Sequence, residues 1–431
     1  MTEFKTRAEI EAKLATYVPL SHQITGQNIT IGRMYKLMSV LGNPERQLKI
    51  IHIAGTSGKT STTYYIAALL RAAGKKVGMT VSPHIDSVTE RLQVNSKPLD
   101  EKEFGKAMGE VIDLIKKSGI EPTYFELLVA LAYWYFAKIK VDYAVIETGL
   151  GGLEDGTNVA EREDKLCVIT DIGFDHMQVL GNTLPEIAKQ KAGIIHPHNM
   201  ALTFKQKPEV IKVFQDWCDQ EGAKLRVLDP TNANHKLEIK SALNALPEFQ
   251  EHNWQLAHEA YEYLRVRDKL NMLSIEQLID TMAVRVPGRM DAVEHNDKTL
   301  VMDGAHNGQK MAAFTSSFQK IYPGQKAAVL LSLKQDKQFE EVLPLVKNIA
   351  DTIILTTFSL AQDRPTHSTA PEELAVTAKA AGFKNIIIES NQDAAYKLLL
   401  SQPEKLLVIT GSLYLIGQLR RKHEELKYAR S

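Results

Sequence analysis

Near its start the chain reads Lys49-Ile-Ile-His-Ile-Ala-Gly-Thr-Ser-Gly-Lys-Thr-Ser61. An apolar, β-branched run comes first, and a glycine turn, a lysine and two hydroxyl residues follow it. The segment from Thr62 to Ala73 then has the composition of a helix. This order of strand, glycine-containing loop and helix is the context that a phosphate-binding loop requires. The stretch therefore predicts an α/β domain with an anion-binding loop between its strand and its helix.

The loop has the groups that a nucleotide needs. Backbone N–H groups around Gly55 to Lys59 would surround an anion at the helix N-terminus, where the dipole favours negative charge. Lys59 would reach the β- and γ-phosphates of ATP, and a hydroxyl after it would hold Mg²⁺. The alternative is a glycine turn whose lysine is merely solvated, because the spacing between the two glycines is shorter than usual. The predicted nucleotide-binding residues are Gly55, Thr56, Ser57, Gly58, Lys59, Thr60 and Ser61.

Composition and charge exclude several classes of partner. Of 431 residues, 44% are hydrophobic, which is enough for the cores of two or three domains. The 52 basic and 52 acidic residues balance, so neither nucleic acid nor a membrane is expected as a partner. The N-terminus lacks the apolar core of a secretory signal, and the longest uncharged apolar stretch, 127–137, is too short to cross a bilayer. Cys167 and Cys218 are expected to be reduced, and the predicted location is cytoplasmic.

Strand and helix patterns alternate along almost the whole chain, which is typical of α/β sheets. The pattern breaks at Val286-Pro-Gly288, and proline with glycine suits a link between domains. We therefore predict a P-loop N-terminal ATPase domain over 1–286 and a smaller Rossmann-like C-terminal domain over 287–431. The predicted strands include 77–81, 141–146, 166–170, 299–302, 327–331, 352–356, 385–388 and 406–409, and the predicted helices include 103–117 and 124–138.

Polar residues follow several predicted strands, at the carboxyl ends where ligands bind in such sheets. Glu147 is placed like the metal-binding acid of P-loop proteins, and an exposed strand-end acid is the alternative. Asp171-Ile-Gly-Phe-Asp-His176 offers His176 as a further metal ligand, although a lone loop histidine more often bonds to backbone. Asp303-Gly-Ala-His-Asn307 suits a ribose, phosphate or amino-acid ligand, and equally an Asx-type turn that caps a helix at Asn307.

The sequence pattern alone assigns no function to Lys191 or to the two histidines His196 and His198. Lys191 lies late in a helix that opens with a capping box at Thr183 and Glu186, where a lysine complements the helix dipole. His196 and His198 flank a proline without the spacing of a metal site, so we predict a surface loop there.

Together these motifs resemble the folylpolyglutamate synthase/dihydrofolate synthase family, within the Mur ligase superfamily. The resemblance extends from about Leu41 to Ile416, nearly the whole chain. The ordered set is what makes it specific. The motifs are Leu41-Gly-Asn-Pro-Glu45, His52-Ile-Ala-Gly-Thr-Ser-Gly-Lys59, Ser82-Pro-His84, Glu90-Arg91, Phe125-Glu126, Glu147-Thr-Gly-Leu-Gly-Gly152, Asp155, Thr157-Asn158, Asp175-His176, Leu180-Gly181, Ile187-Ala-Lys-Gln-Lys-Ala-Gly-Ile-Ile195, Pro287-Gly-Arg289, Asp303-Gly-Ala-His-Asn307 and Thr410-Gly-Ser-Leu-Tyr414.

The resemblance implies a metal site. Positions matching Ser82, Glu147 and His176 ligate Mg²⁺ in the family, and Thr60 is expected to join them from the phosphate loop. The lysine matching Lys191 is carbamylated there and helps to organise a second Mg²⁺, which gives Lys191 an importance that its place in the helix does not indicate.

The resemblance also implies ligand contacts. Asn253 and Arg289 match residues that contact the nucleotide. Asp303 and His306 match residues that face ATP or the incoming amino acid across a cleft between domains. Ser412 lies in a loop that is linked to the substrate side.

The implied reaction is ATP-dependent amide formation. A folate carboxylate attacks the γ-phosphate to give an acyl phosphate, and the amino group of L-glutamate then displaces phosphate. Both steps bring anions together, so magnesium and Lys59 suit the chemistry, and the predicted catalytic residues are Lys59, Lys191 and His306. The predicted partners are ATP, L-glutamate and a folate or dihydropteroate, and a monomer is the family's usual state.

The chain departs from the family pattern near the acceptor. Thr60 stands where folate-branch loops commonly carry glycine, as it does in the cell-wall Mur ligases. Leu153 replaces the usual arginine after the glycine pair, and Gly156 follows Asp155. Because this segment borders the pterin side, Asp155 is a predicted substrate residue and the use of dihydropteroate stays open.

Two other functions remain alternatives. The first is a Mur-type ligase that joins an amino acid to a different carboxylate, although only about forty residues precede the phosphate loop, less than a nucleotide-sugar domain needs. The second is a nucleotide-binding protein without ligase activity, in which the strand-end acids and histidines would be structural.

Overall fold

The computed structural model describes residues 2–18, 31–230, 236–335, 339–361 and 365–428. These residues form two compact units. The first contains the chain up to Leu243 together with Gln250–Val284, and the second contains Asn244–Phe249, Arg285–Ala361 and the chain from Pro365 onward. The main division, after Val284, lies two residues before the predicted boundary after 286.

The first unit alternates strands and helices. Its strands are β1 Ile50–Ala54, β2 Val77–Thr80, β3 Gln93–Val94, β4 Lys97–Pro98, β5 Tyr143–Glu147, β6 Leu166–Ile169, β7 Met200–Phe204 and β8 Lys224–Leu228. Its helices are α1 Arg7–Ala15, α2 Gly32–Val40, α3 Lys59–Ala72, α4 Glu101–Lys116, α5 Tyr124–Lys138, α6 Met177–Leu180, α7 Leu184–Ala192, α8 Pro208–Glu221, α9 Leu237–Asn244, α10 Glu248–Asp268 and α11 Ile275–Met282.

The strands of this unit form one sheet in the order β4-β3-β2-β5-β1-β6-β7-β8. β2, β5, β1, β6, β7 and β8 run parallel, and β3 and β4 are antiparallel. Ile53 of β1 pairs with Glu147 of β5, and Ala54 pairs with Ile169 of β6. The carboxyl ends of these three central strands therefore lie side by side.

Apolar side chains cover both faces of this sheet. On one side α4 and α5 contribute Phe104, Leu127 and Phe136 to a core in which these side chains are fully buried. On the same side α7 and α8 pack Ile187 and Phe214 against β6, and the opposite face is covered by α3, which contacts β1, β2 and β5. Such burial on both faces explains why the central strands read as continuous apolar runs.

The second unit has a smaller sheet in the order β15-β12-β11-β16-β10-β9, with β9 antiparallel to β10 and the others parallel. Its strands are β9 Asp291–His295, β10 Lys298–Asp303, β11 Ala327–Leu331, β12 Ala350–Leu355, β15 Asn385–Ile388 and β16 Leu406–Thr410, and β13 Ser359–Ala361 pairs separately with β14 Pro365–His367. Its helices are α12 Gly308–Ile321, α13 Phe339–Lys347, α14 Pro371–Ala380, α15 Gln392–Ser401 and α16 Leu413–Tyr428.

The predicted α/β fold is confirmed. Each predicted strand is present, with its ends displaced by at most two residues. The predicted capping box at Thr183 forms, a second capping box is present at Ser274, and Cys167 and Cys218 are free, buried thiols. No helix in the described ranges combines the length and the apolar character that crossing a bilayer requires.

Candidate active site

The phosphate loop leaves β1 and ends where α3 begins at Lys59. Gly55 and Gly58 have φ angles of 148° and 90°, a backbone region that favours glycine. A Cβ at Gly55 would lie 1.9 Å from Thr170 Oγ1, and a Cβ at Gly58 would lie 2.3 Å from Asn253 Oδ1. The path of the loop therefore depends on both glycines.

The segment after β6 braces this loop. The N–H groups of Thr56 and Ser57 donate to the Asp171 carbonyl at 2.8 and 3.3 Å, and the Thr56 hydroxyl donates to the Gly173 carbonyl at 3.0 Å. Protein acceptors therefore engage these two N–H groups of the predicted anion-binding loop. The first hydrogen bond of α3 ends on the Gly58 carbonyl, so the N–H groups from Gly58 into the first turn have no acceptor within the helix.

Three predicted residues come together at the ends of β1 and β5. Thr60 Oγ1 donates to Glu147 Oε1 at 2.8 Å, and the Ser82 N–H donates to Glu147 Oε2 at 3.1 Å. Lys59 Nζ donates to the Gly55 carbonyl at 2.9 Å within the loop. The register that pairs β1 with β5 brings Glu147 opposite the phosphate loop.

These groups have the donor chemistry that Mg²⁺ requires. Mg²⁺ prefers carboxylate, hydroxyl, water and phosphate oxygens, and the Glu147 carboxylate, 3% exposed, lies beside the Thr60 hydroxyl. Among the residues that the structure describes, no three His, Cys, Asp or Glu side chains are grouped to hold a metal ion. A magnesium site here would therefore rest on one protein carboxylate, supplemented by hydroxyl, water and nucleotide oxygens.

His176 and Lys191 lie on different elements near this edge. His176 precedes α6 with a φ of 50°, and its Nε2 lies 3.9 Å from Asp175 Oδ1. Lys191 lies in the last turn of α7 and is 3% exposed. A Cβ at Gly152 would lie 2.5 Å from the Gln190 carbonyl and 3.2 Å from Lys191 Cα. The end of α7 thus packs closely on the loop that follows β5.

That loop, residues 148–158, is organised around Asp155. The carboxylate accepts the Leu150 N–H at 2.7 Å, the Thr157 N–H at 3.0 Å and the Thr157 hydroxyl at 2.5 Å. Burial raises the pKa of Asp155, and these hydrogen bonds oppose that rise. His52 lies inside β1, and its Nε2 contacts the hydroxyls of Thr157 and Thr148. Sequence reasoning treated His52 only as part of a motif, because an isolated polar residue in a strand gives no pattern.

The loop predicted around His196 and His198 is exposed at Pro197 and His198, while His196 is half-buried. Asn158 Nδ2 donates to the Gly193 carbonyl at 2.8 Å, so its Oδ1 faces His196 Nε2 at 2.9 Å and accepts from it. Burial, and then the charge of Lys165, lowers the pKa of His196 to about 3. His198 is exposed, as predicted.

A residue next to Asn253 also reaches the phosphate-loop region. Asn253 lies on α10 and is 4% exposed. His252 Nε2 lies 3.2 Å from Asp171 Oδ1, and its ring lies 4.5 Å from that of Phe204. The sequence gives no periodic signal for His252, since its partners come from β7 and from the segment after β6.

In the second unit, Asp303 ends β10 and is buried. Its oxygens accept the Ala305 N–H at 2.9 Å and the Met290 N–H at 2.8 Å. Burial raises the pKa of Asp303 to about 6, although the charge of Arg289 and these N–H groups oppose the rise. The Arg289 guanidinium itself donates to the Gly288 carbonyl at 3.0 Å.

The turn after Asp303 holds His306 in a defined orientation. His306 Nδ1 lies 2.7 Å from the Gly304 carbonyl, and Lys310 Nζ lies 3.0 Å from His306 Nε2. Since a carbonyl only accepts and an ammonium only donates, the imidazole carries its proton on Nδ1. Asn307 accepts the Lys310 N–H at 2.9 Å, so the helix cap predicted as one alternative is present.

Ser412 belongs to the same edge of the second sheet. Asp303 pairs with Thr410 across β10 and β16, and the Gly411 N–H donates to the Ala305 carbonyl at 3.0 Å. Ser412 is 5% exposed, and its hydroxyl accepts the Tyr414 N–H at 3.2 Å. This edge therefore brings together three of the predicted ligand-side residues: Asp303, His306 and Ser412.

Two family models match the chain. The Mur ligase middle domain matches residues 53–263, and the Mur ligase, glutamate ligase domain matches residues 288–413. The matched segments contain the phosphate loop with Glu147 and the Asp303 turn, respectively.

Known proteins resemble the chain over nearly all of its length. A dihydrofolate synthetase of Saccharomyces cerevisiae is 33% identical over 417 residues, which cover 91% of this chain and 97% of that protein. A dihydrofolate synthase/folylpolyglutamate synthase of Bacillus subtilis is 31% identical, with coverage of 91% and 94%. A Mycobacterium tuberculosis folylpolyglutamate synthase, solved with ADP and AMPPCP, superposes with a TM-score of 0.83 at 26% identity and covers 97% of this chain and 99% of that chain.

Proposed function

Since this chain belongs to the folylpolyglutamate synthase/dihydrofolate synthase family of Mur ligases, we propose that it joins L-glutamate to a folate carboxylate at the expense of ATP. The observation that carries this proposal is the group formed by Lys59, Thr60 and Glu147 at the carboxyl ends of two adjacent parallel strands. A phosphate loop and a buried carboxylate at this position are what phosphoryl transfer needs.

The first step forms an acyl phosphate. A folate carboxylate oxygen bonds to the γ-phosphorus of ATP, and the bond to the β,γ-bridging oxygen breaks to release ADP. Lys59 and the N–H groups at the start of α3 oppose the negative charge of the phosphates. Thr60 and Glu147 would hold Mg²⁺, which neutralises phosphate charge when it is bound.

The second step forms the amide. The glutamate ammonium loses one proton to solvent, and its nitrogen bonds to the acyl carbon. The bond from that carbon to the bridging oxygen then breaks, so that inorganic phosphate leaves with this oxygen and the nitrogen loses a second proton to solvent. We assign the binding of L-glutamate to Asp303, His306 and Ser412, which share one edge of the second sheet. His306 carries its proton on Nδ1, and its Nε2 accepts from the Lys310 ammonium. Asn253 and Arg289 are assigned to nucleotide binding.

Further ligands complete the proposed metal centre. Ser82 donates its N–H to Glu147, which supports its place beside that carboxylate. Lys191 is buried beside the loop after β5. We propose that Lys191 is carbamylated and, with His176, contributes to a second Mg²⁺ site.

The acceptor is proposed to lie against the loop that Asp155 organises. Tetrahydrofolate and dihydropteroate are both candidates, and the name of the yeast relative supports dihydropteroate. Leu153, whose N–H donates to the Gln190 carbonyl at 2.8 Å, is the position where the two activities would diverge. We further propose a cytoplasmic location, because free buried thiols are usual in a reducing compartment. We also propose a monomer, which is the usual state of the family.

The test measures ADP release with Mg²⁺, ATP and L-glutamate, with tetrahydrofolate or dihydropteroate as the acceptor and mass spectrometry of the product. A mass gain of one glutamyl unit on either acceptor supports the proposal and identifies the acceptor. ATP binding without product from either would favour a Mur-type ligase with another carboxylate acceptor. ATP hydrolysis that no amino acid stimulates would favour a nucleotide-binding protein without ligase activity.

A further inference from the structure

His52 is a buried polar residue that the proposed chemistry does not use. It lies in the middle of β1, the strand that leads into the phosphate loop, and its side chain is 0% exposed. Burying a polar side chain inside a central strand is costly unless hydrogen bonds compensate it. The contacts of His52 therefore indicate what the residue does.

One ring nitrogen makes both contacts. His52 Nε2 lies 2.9 Å from Thr157 Oγ1 and 3.1 Å from Thr148 Oγ1. Both hydroxyls belong to the 148–158 loop at the end of the neighbouring strand β5. His52 therefore connects the strand of the phosphate loop to the loop proposed to face the acceptor.

The direction of these hydrogen bonds follows from Asp155. The Thr157 hydroxyl donates its proton to Asp155 Oδ1 at 2.5 Å, so its oxygen can only accept from His52. The imidazole must then carry its proton on Nε2. Nδ1 has no hydrogen-bond partner among the described residues, which suits an unprotonated nitrogen, and burial lowers the pKa of His52 well below its ordinary value.

A chain of donors therefore runs from β1 into the loop. His52 donates to Thr157, Thr157 donates to Asp155, and Asp155 accepts the Leu150 N–H at 2.7 Å. Tyr133 of α5 adds a hydrogen bond from its hydroxyl to the Thr157 carbonyl at 2.7 Å. These hydrogen bonds hold the loop against β1 and α5.

We propose that His52 is a positioning residue for the acceptor, which acts through Thr157 and Asp155 to hold the 148–158 loop in its binding geometry. The proposal rests on the proposed function for the identity of the acceptor, but the ordering of the loop does not depend on it. Nucleotide binding should not depend on His52, because its hydrogen bonds lead to the 148–158 loop and not to residues 55–61.

The test compares two substitutions of His52 that differ in reach. In His52→Gln the terminal amide nitrogen can take the place of Nε2 and donate to Thr157, whereas in His52→Asn the amide ends too close to the backbone. His52→Asn should raise KM for the acceptor about tenfold, as expected for a lost buried hydrogen bond, and leave KM for ATP unchanged. His52→Gln should restore most of the lost affinity. Equal changes in both KM values, or equal defects in both variants, would overturn the proposal.

Thr157→Val provides a second test that avoids the core of the strand. It removes the hydroxyl while keeping the side-chain volume, so it remains informative if His52→Asn does not fold. It should raise KM for the acceptor as His52→Asn does, and the double variant should be no worse than the more impaired single variant, because both act along one path. Additive effects would mean that His52 acts by another route.

Hydrogen–deuterium exchange separates this inference from the proposed function. The amides of Leu150 and Thr157 should exchange faster in His52→Asn and Thr157→Val than in wild type and His52→Gln, whatever the acceptor is. Unchanged exchange would overturn the positioning role even in an active ligase. Faster exchange in His52→Asn and Thr157→Val, found together with a wild type that is inactive with both acceptors, would leave the positioning role supported and the proposed function refuted.

Discussion

Acidification should destabilise the first unit through His196. Burial, reinforced by the charge of Lys165, lowers the pKa of His196 from 6.5 to about 3. The folded state keeps the imidazole neutral where the unfolded chain protonates it, so this contribution is complete above pH 6.5 and is lost as the pH falls toward 3. At pH 5, an unfolded-state pKa of 6.5 gives a loss of about 2 kcal/mol in the free energy of unfolding.

Tryptophan fluorescence can follow this unit alone. The chain has three tryptophans, and all of them lie in the first unit: Trp134, Trp217 and Trp254. Trp217 Nε1 donates to the Ile195 carbonyl at 3.1 Å, next to the histidine. Urea unfolding curves at pH 7.5 and pH 5 therefore report the free energy of unfolding of the first unit, which contains His196.

The informative variant is His196→Gln, and His198→Gln is its matched control. Glutamine can still donate an N–H to Asn158 Oδ1 but gains no proton at pH 5. Wild type and the His198→Gln control should each lose about 2 kcal/mol more than His196→Gln between the two pH values. Losses of the same size in all three proteins would refute the reasoning, because other groups would then account for the acid sensitivity.

Three further predictions concern the proposed site. Lys59→Ala should lower kcat/KM by roughly 100-fold or more, and near-normal turnover would remove Lys59 from the phosphate site. Gly58→Ala should raise KM for ATP by roughly tenfold or more, because the new Cβ meets Asn253 Oδ1 at 2.3 Å, whereas Gly74→Ala, with a φ of 80° and open space around it, should lower only the thermal stability. The reverse ranking of the two alanine variants would contradict the steric argument. Lys191→Ala should lose activity that added short carboxylic acids partly restore, and full activity without rescue would exclude a carbamate.

The parts of the fold that could be predicted from sequence are those set by local patterns. Apolar β-branched runs identify β1 and β5, and the helix propensity of 124–138 together with its capping box fixes α5. β8 was not predicted, since this edge strand buries only Leu228 fully and carries two charged residues. β9 was missed for a similar reason, because none of its apolar side chains is buried.

The residues of the site that lie at strand ends could be predicted from the sequence. Glu147 and Asp303 follow apolar runs, and parallel sheets place such residues at one edge. The partners of each residue were not predictable. The bracing of the phosphate loop by Asp171 and the contact between His52 and Thr157 each join segments more than a hundred residues apart, and single-sequence patterns extend over only a few turns of chain. For the same reason the sequence does not predict that His196 is half-buried and contacts Asn158.

The brace between the phosphate loop and Asp171 has an entropic consequence. Two loop N–H groups and one loop hydroxyl are already held by backbone carbonyls, so the chain immobilises this turn when it folds and not when a nucleotide arrives. Fixing one residue's backbone costs about 1–2 kcal/mol at room temperature, and a turn that is ordered in advance spares the binding step that cost. Nucleotide affinity and the folding stability of the first unit are thereby linked: a change that frees Thr56 from its carbonyl partners weakens both.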